Sequence, residues 1–427
     1  MQGYLAFSKG STGGRIMNHG MIYDKNVELL VNYFNSGCKK EQLLGVELEH
    51  FVVERGTQRA VPYENGVEII LQRLQPLIGE AIYSTPSRLR DDIPTTVQSE
   101  ERGYVPMIGI SCPDYEITLE PAAQLEISIK PLASIDEIGK IYASFIEVIS
   151  PILLDMSCEL FCAGVPPVST EGFLPLIPKK RYELMDEYFK TTGTCGINMM
   201  RGTAAAQVNI DFESEADFIK KFRVANILSP LFAFMCDTTG KMERTHIWNN
   251  VDPARAMVKN ALNSENFGFA DYAKYIMGLP PIFIYEAVKA SGRHSHNTPV
   301  GEMEQRSTSD KPVCEIFAGR LLTDEDIEHV TTMAFPDVRL KNRMEIRVAD
   351  SMPIEKTLDF AALIQRIFYD NAVLDKFYRD LIKIKSHHIL EAKAALIKHG
   401  ENAAVYGKPA AQWRAELDSY RSSSTAK

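Results

Sequence analysis

The chain has 427 residues, 47 basic and 56 acidic side chains, and a formal net charge of −9. That length can bury a large core, and the longest basic run, Lys179-Lys180-Arg181, is too short for the basic stripe of a nucleic-acid binder. No apolar run reaches the ~20 residues that span a bilayer, and the seven scattered cysteines, an odd number without dense spacing, exclude a disulfide scaffold and point to reduced thiols in a cytoplasm.

Residues 1–20 contain Gly10, Gly13, Gly14 and Gly20 with little periodicity and read as a flexible tail rather than a targeting peptide. Ser11-Thr12-Gly13-Gly14 lacks the spacing of a phosphate loop. Residues 26–35 have helical periodicity and stop at Gly37. Gly45-Val46-Glu47-Leu48-Glu49-His50-Phe51-Val52-Val53 then alternates as a strand, with Glu47 and Glu49 on one face and Val46 and Leu48 on the other. A helix over 62–77 follows, and the polar stretch 84–102 reads as loop.

Strand pattern fills 103–132, where Tyr115 to Glu120 and Gln124 to Ser128 alternate on either side of Pro121-Ala122-Ala123. Ser134 is placed to cap a helix over 134–156, with Glu137 completing a capping box. A further helical stretch over 152–161 brings Cys158 and Cys162 four residues apart in the core. A short helix follows Lys179-Lys180-Arg181-Tyr182, and 193–200 reads as loop or strand edge.

A third alternating strand, 205–212, puts Gln207, Asn209 and Asp211 on one face; Ser214 then caps a helix over 215–235. Residues 272–278 are helical, 289–313 form a polar loop of the length of a lid, and Thr323 caps a helix over 323–331. The fourth strand, Met344-Glu345-Ile346-Arg347-Val348, carries Glu345 and Arg347 on one face. From about 354 to the end the chain is helical. No repeat and no clean linker interrupts it, so residues 21–427 are expected to form one catalytic domain.

Four strands thus present polar residues on one face and apolar ones on the other, the pattern of an antiparallel sheet backed by helices. Two readings stay open. The polar face is simply wet, or the sheet gathers Glu47, Glu49, Glu120, Glu126 and Glu345. Adjacent carboxylates at ~4 Å repel by on the order of 4 kcal/mol at an effective dielectric of ~20, so gathered carboxylates need compensation. Mg²⁺, or Mn²⁺ in its place, prefers such oxygen ligands and bridges them to phosphates, and Arg347 would neutralise a transferring phosphoryl group. The second reading is a metal-dependent, nucleotide-using enzyme without a phosphate loop.

Seven ordered blocks between about residues 36 and 350 resemble glutamate–cysteine ligases of the plant and proteobacterial type. They are Gly37-Cys38-Lys39 with Gly45 to Phe51, Thr118-Leu119-Glu120-Pro121 with Gln124-Leu125-Glu126, Gln207 to Phe212 with Ser214-Glu215-Ala216-Asp217, Arg244-Thr245-His246-Ile247-Trp248, Phe267-Gly268-Phe269, Phe335 to Lys341, and Met344 to Arg347. The last ~75 residues match only as generic helices.

The resemblance implies an α+β, glutamine-synthetase-like fold, a bent antiparallel sheet forming a funnel backed by helices. It implies ATP and Mg²⁺ as reagents, phosphorylation of the glutamate γ-carboxylate, and attack on it by the cysteine amine, the first step of glutathione biosynthesis. Carried over, Glu47, Glu49, Glu120, Glu126 and Glu345 match metal-binding positions. Arg347 and Arg244 match catalytic positions, and Gln207, Asn209, Arg201, His246 and Trp248 match substrate or nucleotide positions. The family often reads Leu-Arg-Thr after Met-Met, where this chain has Arg201-Gly202-Thr203 after Met199-Met200. Segment 291–310 is unlike the family and bears on the identity of the acceptor amine. The rivals are a same-fold ligase with another acceptor, a phosphotransferase, and a catalytically dead binding module. The expected partners are the small-molecule substrates alone. The histidines of His294-Ser295-His296 and His387-His388 are read as solvated, Tyr182 as structural and Cys195 as unreactive.

Overall fold

In the computed structural model, residues 19–84, 105–168, 174–256, 264–287, 303–308 and 310–421 are described. The chain begins with α1 (His19–Asn35), β1 (Leu44–Glu54), a π-helical turn (Tyr63–Val67) and α2 (Glu68–Ile78). Strands β2 (Glu80–Tyr83), β3 (Met107–Ser111), β4 (Tyr115–Leu119) and β5 (Leu125–Leu132) follow, then α3 (Ile135–Asp155) and β6 (Cys158–Phe161). The middle holds α4 (Lys180–Phe189), α5 (Gly196–Gly202), β7 (Ala205–Ile210), α6 (Glu215–Met235), α7 (Glu243–Asn249) and α8 (Phe269–Met277). A hairpin of β8 (Phe283–Ala287) and β9 (Met303–Ser307), α9 (Val313–Ile316) and α10 (Asp324–Thr332) lead to β10 (Val338–Leu340) and β11 (Met344–Asp350). The C-terminal part is α11 (Ile354–Tyr369), α12 (Asn371–Asp380), α13 (Ser386–His399) and α14 (Ala410–Arg421).

The main sheet has nine strands in the order β10-β11-β7-β1-β5-β4-β3-β2, with β6 added to the far half of β1. Every pairing in it is antiparallel. It is open, because β10 and β2 end the order without meeting. The α+β expectation is met, and the four alternating stretches are β1, β5, β7 and β11, all contiguous in the sheet. β1 changes partners along its length: Leu44 to His50 pair with β5, and Phe51 to Glu54 with β6.

The alternation has its expected cause. Val46, Leu48, Ile127, Val208, Ile210 and Ile346 are at most 1% exposed, packed beneath α3, α6 and α11. Burying a side chain of this size stabilises the fold by ~1.5–3 kcal/mol. The caps also fall where expected. Ser134 Oγ accepts from the Glu137 amide at 3.3 Å, Ser214 Oγ from that of Asp217 at 3.2 Å, and Thr323 with Asp326 forms a full capping box.

Two local expectations are corrected. Cys158 opens a strand and Cys162 follows it; the helix stops at Asp155, where Ser157 turns at a φ of 55°. The pairing of Phe51 to Glu54 with this segment overrides its helical periodicity. Residues 196–202 are helical rather than loop or strand, because Gly196 lies against Phe189 of α4 with no room for a side chain. All seven cysteines are free thiols, and no helix among the described residues is long and apolar enough to cross a membrane. Residues 1–18 of the expected tail, most of the polar loop 84–102, and residues 289–302 and 309 of the expected lid, His294 and His296 included, lie outside the described residues.

Candidate active site

The polar face of β5, β1, β7 and β11 carries the site. Antiparallel register sets Glu49 opposite Glu126, Glu47 opposite Gln207, and Glu345 opposite Asn209. Gly45 is opposite Asn209, and a Cβ there would lie 3.3 Å from that of Asn209. The glycine lets Asn209 lie flat and donate to Glu47 at 2.8 Å. Glu49 accepts from the Ala205 amide at 2.8 Å and from Gln207 at 3.2 Å. Glu126 accepts from Thr118 at 3.0 Å and Ser128 at 2.9 Å. Arg347 donates to Gln207 Oε1 at 2.6 Å.

Glu120 reaches the same face from the turn between β4 and β5. Ala123 in that turn has a φ of 66°, a left-handed conformation that a residue with a Cβ adopts at a cost. It is held there by Gln124, whose side-chain oxygen accepts from Ala122 at 2.9 Å and whose amide donates to Met200 and Thr203 carbonyls at 3.3 and 3.0 Å. The turn carrying Glu120 is therefore fastened to α5.

The carboxylates divide into two environments. Burial, then mutual repulsion, raises the pKa of Glu49, Glu120 and Glu126. For Glu126 the repelling neighbours are Glu47, Glu120 and Glu49, so the four lie within electrostatic reach of one another. None of these four is in an ion pair within the described residues, although Arg244 and Arg347 lower Glu49, and Lys179, Arg181 and Arg347 lower Glu120.

Glu345 is different. Burial would raise it, but Arg339, Lys341, Arg347 and Arg343 together hold it well below the usual carboxylate range. Their nitrogens lie 2.5, 3.0, 3.7 and 3.5 Å from its oxygens. Of the five carboxylates expected to bind metal, Glu345 alone is neutralised by a basic cluster, which carries three charges in excess of its own. Burial and neighbouring cations lower the pKa of Lys341, and lower that of Arg347 to about 10.

Beside Arg347 a narrow pocket of about 20 Å³ opens. Arg244, Trp248, Asp337 and Lys393 line it with Arg347. Arg244 stacks on Trp248, 5.5 Å from the ring centroid, and donates to the Val348 and Arg347 carbonyls at 3.2 and 3.1 Å. Arg244 Nε and Trp248 Nε1 are both buried without a hydrogen-bond partner. Two orphaned donors on one pocket wall call for an acceptor, and a carboxylate supplies it.

Arg201 and His246 stand elsewhere. Arg201 pairs with Asp186 at 2.5 Å and donates to the Leu174 carbonyl at 2.8 Å, joining α5 to α4. His246 is exposed on α7 and is not among the residues lining the pocket. Asp337 and Lys393 were not anticipated. Lys393 is 7% exposed and reaches from α13 to Asp337 at 2.6 Å and Asn249 at 3.3 Å. It is one of two lysines in α13, with Lys398, and nothing in the helix's sequence sets it apart.

The donor chemistry of Glu47, Glu49, Glu120 and Glu126 fits a hard divalent cation: oxygen donors, one face, repulsion without a paired cation. Among the described residues no three such side chains are closed into coordinating geometry as they stand.

Comparison with known proteins identifies the family. A profile of glutamate–cysteine ligase family 2 matches residues 43–419, which extends the likeness through the C-terminal helices. The chloroplastic glutamate–cysteine ligase of Medicago truncatula is 30% identical over 358 residues, covering 81% of this chain and 65% of that protein. That of Brassica juncea is 31% identical over 358 residues, covering 81% and 64%. The chain thus spans just under two thirds of the length of these relatives. The solved glutamate–cysteine ligase of Francisella tularensis in complex with AMP is 12% identical, with a TM-score of 0.49, covering 90% of this chain and 78% of that one. With a family profile matched over most of its length, the chain belongs to glutamate–cysteine ligase family 2.

Proposed function

We propose that residues 21–427 form a single ATP-dependent ligase domain that joins L-glutamate to L-cysteine through γ-glutamyl phosphate, the first step of glutathione biosynthesis. The observation that carries this reading is the position of Arg347. It pairs with Glu345, donates to Gln207 on the carboxylate face, and lines the Arg244–Trp248 pocket. One guanidinium therefore touches all three parts that the reaction needs.

Arg244 and Trp248 hold the glutamate α-carboxylate with their unpartnered N–H groups. The γ-carboxylate oxygen attacks the γ-phosphorus of ATP, and ADP leaves. Arg347, with Arg339, Lys341 and Arg343 behind it, faces the phosphoryl oxygens as their charge develops. The cysteine amine nitrogen then attacks the γ-carbonyl carbon, a proton leaves the nitrogen, and inorganic phosphate departs as the amide forms. Glu47, Glu49, Glu120 and Glu126 would hold Mg²⁺, which would supply charge neutralisation to the nucleotide phosphates. Gln207 and Asn209 keep Glu49 and Glu47 aimed at that face.

The seven free thiols support a reducing compartment, which we take to be the cytoplasm; recovery in an organelle or secreted fraction would overturn that placement. The activity is tested by mixing protein, ATP, Mg²⁺ and glutamate and measuring ADP, phosphate and amide with and without cysteine. Phosphate release in proportion to added cysteine supports the reading. Release with other amines but not cysteine shows a different acceptor, and ADP without free phosphate or amide shows a phosphotransferase.

A further inference from the structure

A second cavity, of about 330 Å³, lies away from the polar face of the sheet, between the end of α6, the start of α11 and α14. Lys356, Arg414 and Arg421 line it together with Asp237 and Asp418. The acids do not balance the bases within it. Asp237 is consumed by its own loop, accepting from the Thr239 amide at 3.0 Å, the Thr239 hydroxyl at 2.7 Å and the Met242 amide at 2.9 Å. Asp418 pairs with Arg421 at 3.3 Å. Arg414 is stacked on Phe234, 4.6 Å from its centroid, and meets only the largely exposed Glu401 at 3.4 Å. Lys356 has no ion pair among the described residues. Pro353 also lines the cavity, so the positive end of the 16-residue α11 faces the same space.

We propose that this cavity is a second binding site, for a small organic molecule carrying carboxylate or phosphate groups. With Arg421 held by Asp418, Lys356 and Arg414 are the cations left to meet it, and a cavity of this size takes an organic anion rather than a single monovalent ion.

The cavity is wired to the pocket by a short path. Thr238 lines it and donates both its amide, at 2.9 Å, and its hydroxyl, at 2.8 Å, to Asp350 Oδ2. Of the carboxylates acting on the buried Arg244, Asp350 acts most strongly, ahead of Glu49 and Asp337. One residue on, Ser351 donates to the Glu49 carbonyl at 2.5 Å, and Met352 lines the cavity. A ligand that moves Thr238 therefore displaces the carboxylate that faces Arg244, and occupancy is read at Trp248 through its stack on that guanidinium.

The test uses citrate and inorganic phosphate titrated into metal-free full-length protein by calorimetry. Anions also bind the basic cluster at Arg347, so two variants separate the sites. Wild type is expected to show two classes of citrate site. Lys356→Glu loses one with at least a tenfold weaker affinity, and Arg347→Ala loses the other. Lys356→Glu adds an acid to the first turn of α11, which favours the helix, so its fold survives; Lys356→Gln is the milder companion. In a Trp413→Phe background, leaving Trp248 as the single tryptophan, citrate is expected to change emission, and Lys356→Glu to abolish that change. A citrate isotherm unaltered by Lys356→Glu, or binding wholly lost in Arg347→Ala, overturns the proposal. These arms read binding without turnover, so they stand apart from the ligase assignment.

Discussion

Glu49 and Glu126 face each other directly across β1 and β5, each 9% exposed and neither in an ion pair among the described residues. Folding brings two buried acids together with Glu47 and Glu120, and among the described residues no cation pairs with any of the four as four cations do with Glu345. Gathering these buried acids is costly, and the proposed Mg²⁺ would offset that cost.

The first prediction concerns pH. The folded pKa values of Glu49, Glu120 and Glu126 are raised. The contribution of these groups to stability is therefore fully present below the unfolded value of ~4.3 and is lost as pH rises through the folded values. Metal-free protein should gain melting temperature as pH falls from about 8 towards 5. Mg²⁺ should raise it more at pH 8 than at pH 6. Glu126→Gln should flatten both trends. Equal Mg²⁺ shifts at the two pH values would remove the metal assignment.

His50 works in the opposite direction. It is fully buried, bonded to the Leu125 carbonyl at 3.1 Å and the Tyr142 hydroxyl at 2.9 Å, and burial lowers its pKa to about 4. Its contribution is present above ~6.5 and is lost as pH falls through about 4. The full shift is worth on the order of 3 kcal/mol. Below pH 6.5 this loss should offset part of the gain from the carboxylates, and His50→Gln should displace the resulting acid limb. An unaltered acid limb in that variant would show that His50 does not set it.

Glu47→Gln and Glu345→Gln should separate. The first keeps Asn209 as a partner and should leave the fold intact while activity falls by at least ~100-fold, if one ligand of the metal is lost. The second leaves Arg339, Lys341, Arg343 and Arg347 without their shared anion, and breaking a buried pair costs about 3–5 kcal/mol. Denaturant titration of both variants decides it, and equal stability of the two would contradict the role assigned to Glu345.

Arg244→Lys should raise the KM for glutamate at least tenfold, about 1.4 kcal/mol, because an ammonium replaces neither the stack on Trp248 nor the orphaned Nε donor. Trp248→Phe should do the same in part. Lys393→Met tests the reach of α13 into this pocket: substrate KM should change while the ATP KM does not. Unchanged glutamate kinetics in all three would move the amino-acid site elsewhere.

Much of the sheet was legible. Period-two alternation on β1, β5, β7 and β11 reflects one buried and one polar face, and that pattern is local. Glu47, Glu49, Glu126 and Gln207 could be assigned to one face for the same reason. Local pattern failed at 158–161, where pairing with β1 overrode helical spacing, and at 196–202, where packing on Phe189 decided the conformation.

The sequence by itself determined the strand faces, most helix caps and the family, because each depends on residues close together in the chain or on their order. Only the tertiary structure decided which carboxylates share an environment. Arg339 is placed against Glu345 by the β10–β11 register, and Lys393 meets Asp337 across 56 residues of chain through the docking of α13. Charge compensation falls off over a few ångströms, so it follows distance in the fold rather than spacing in the sequence.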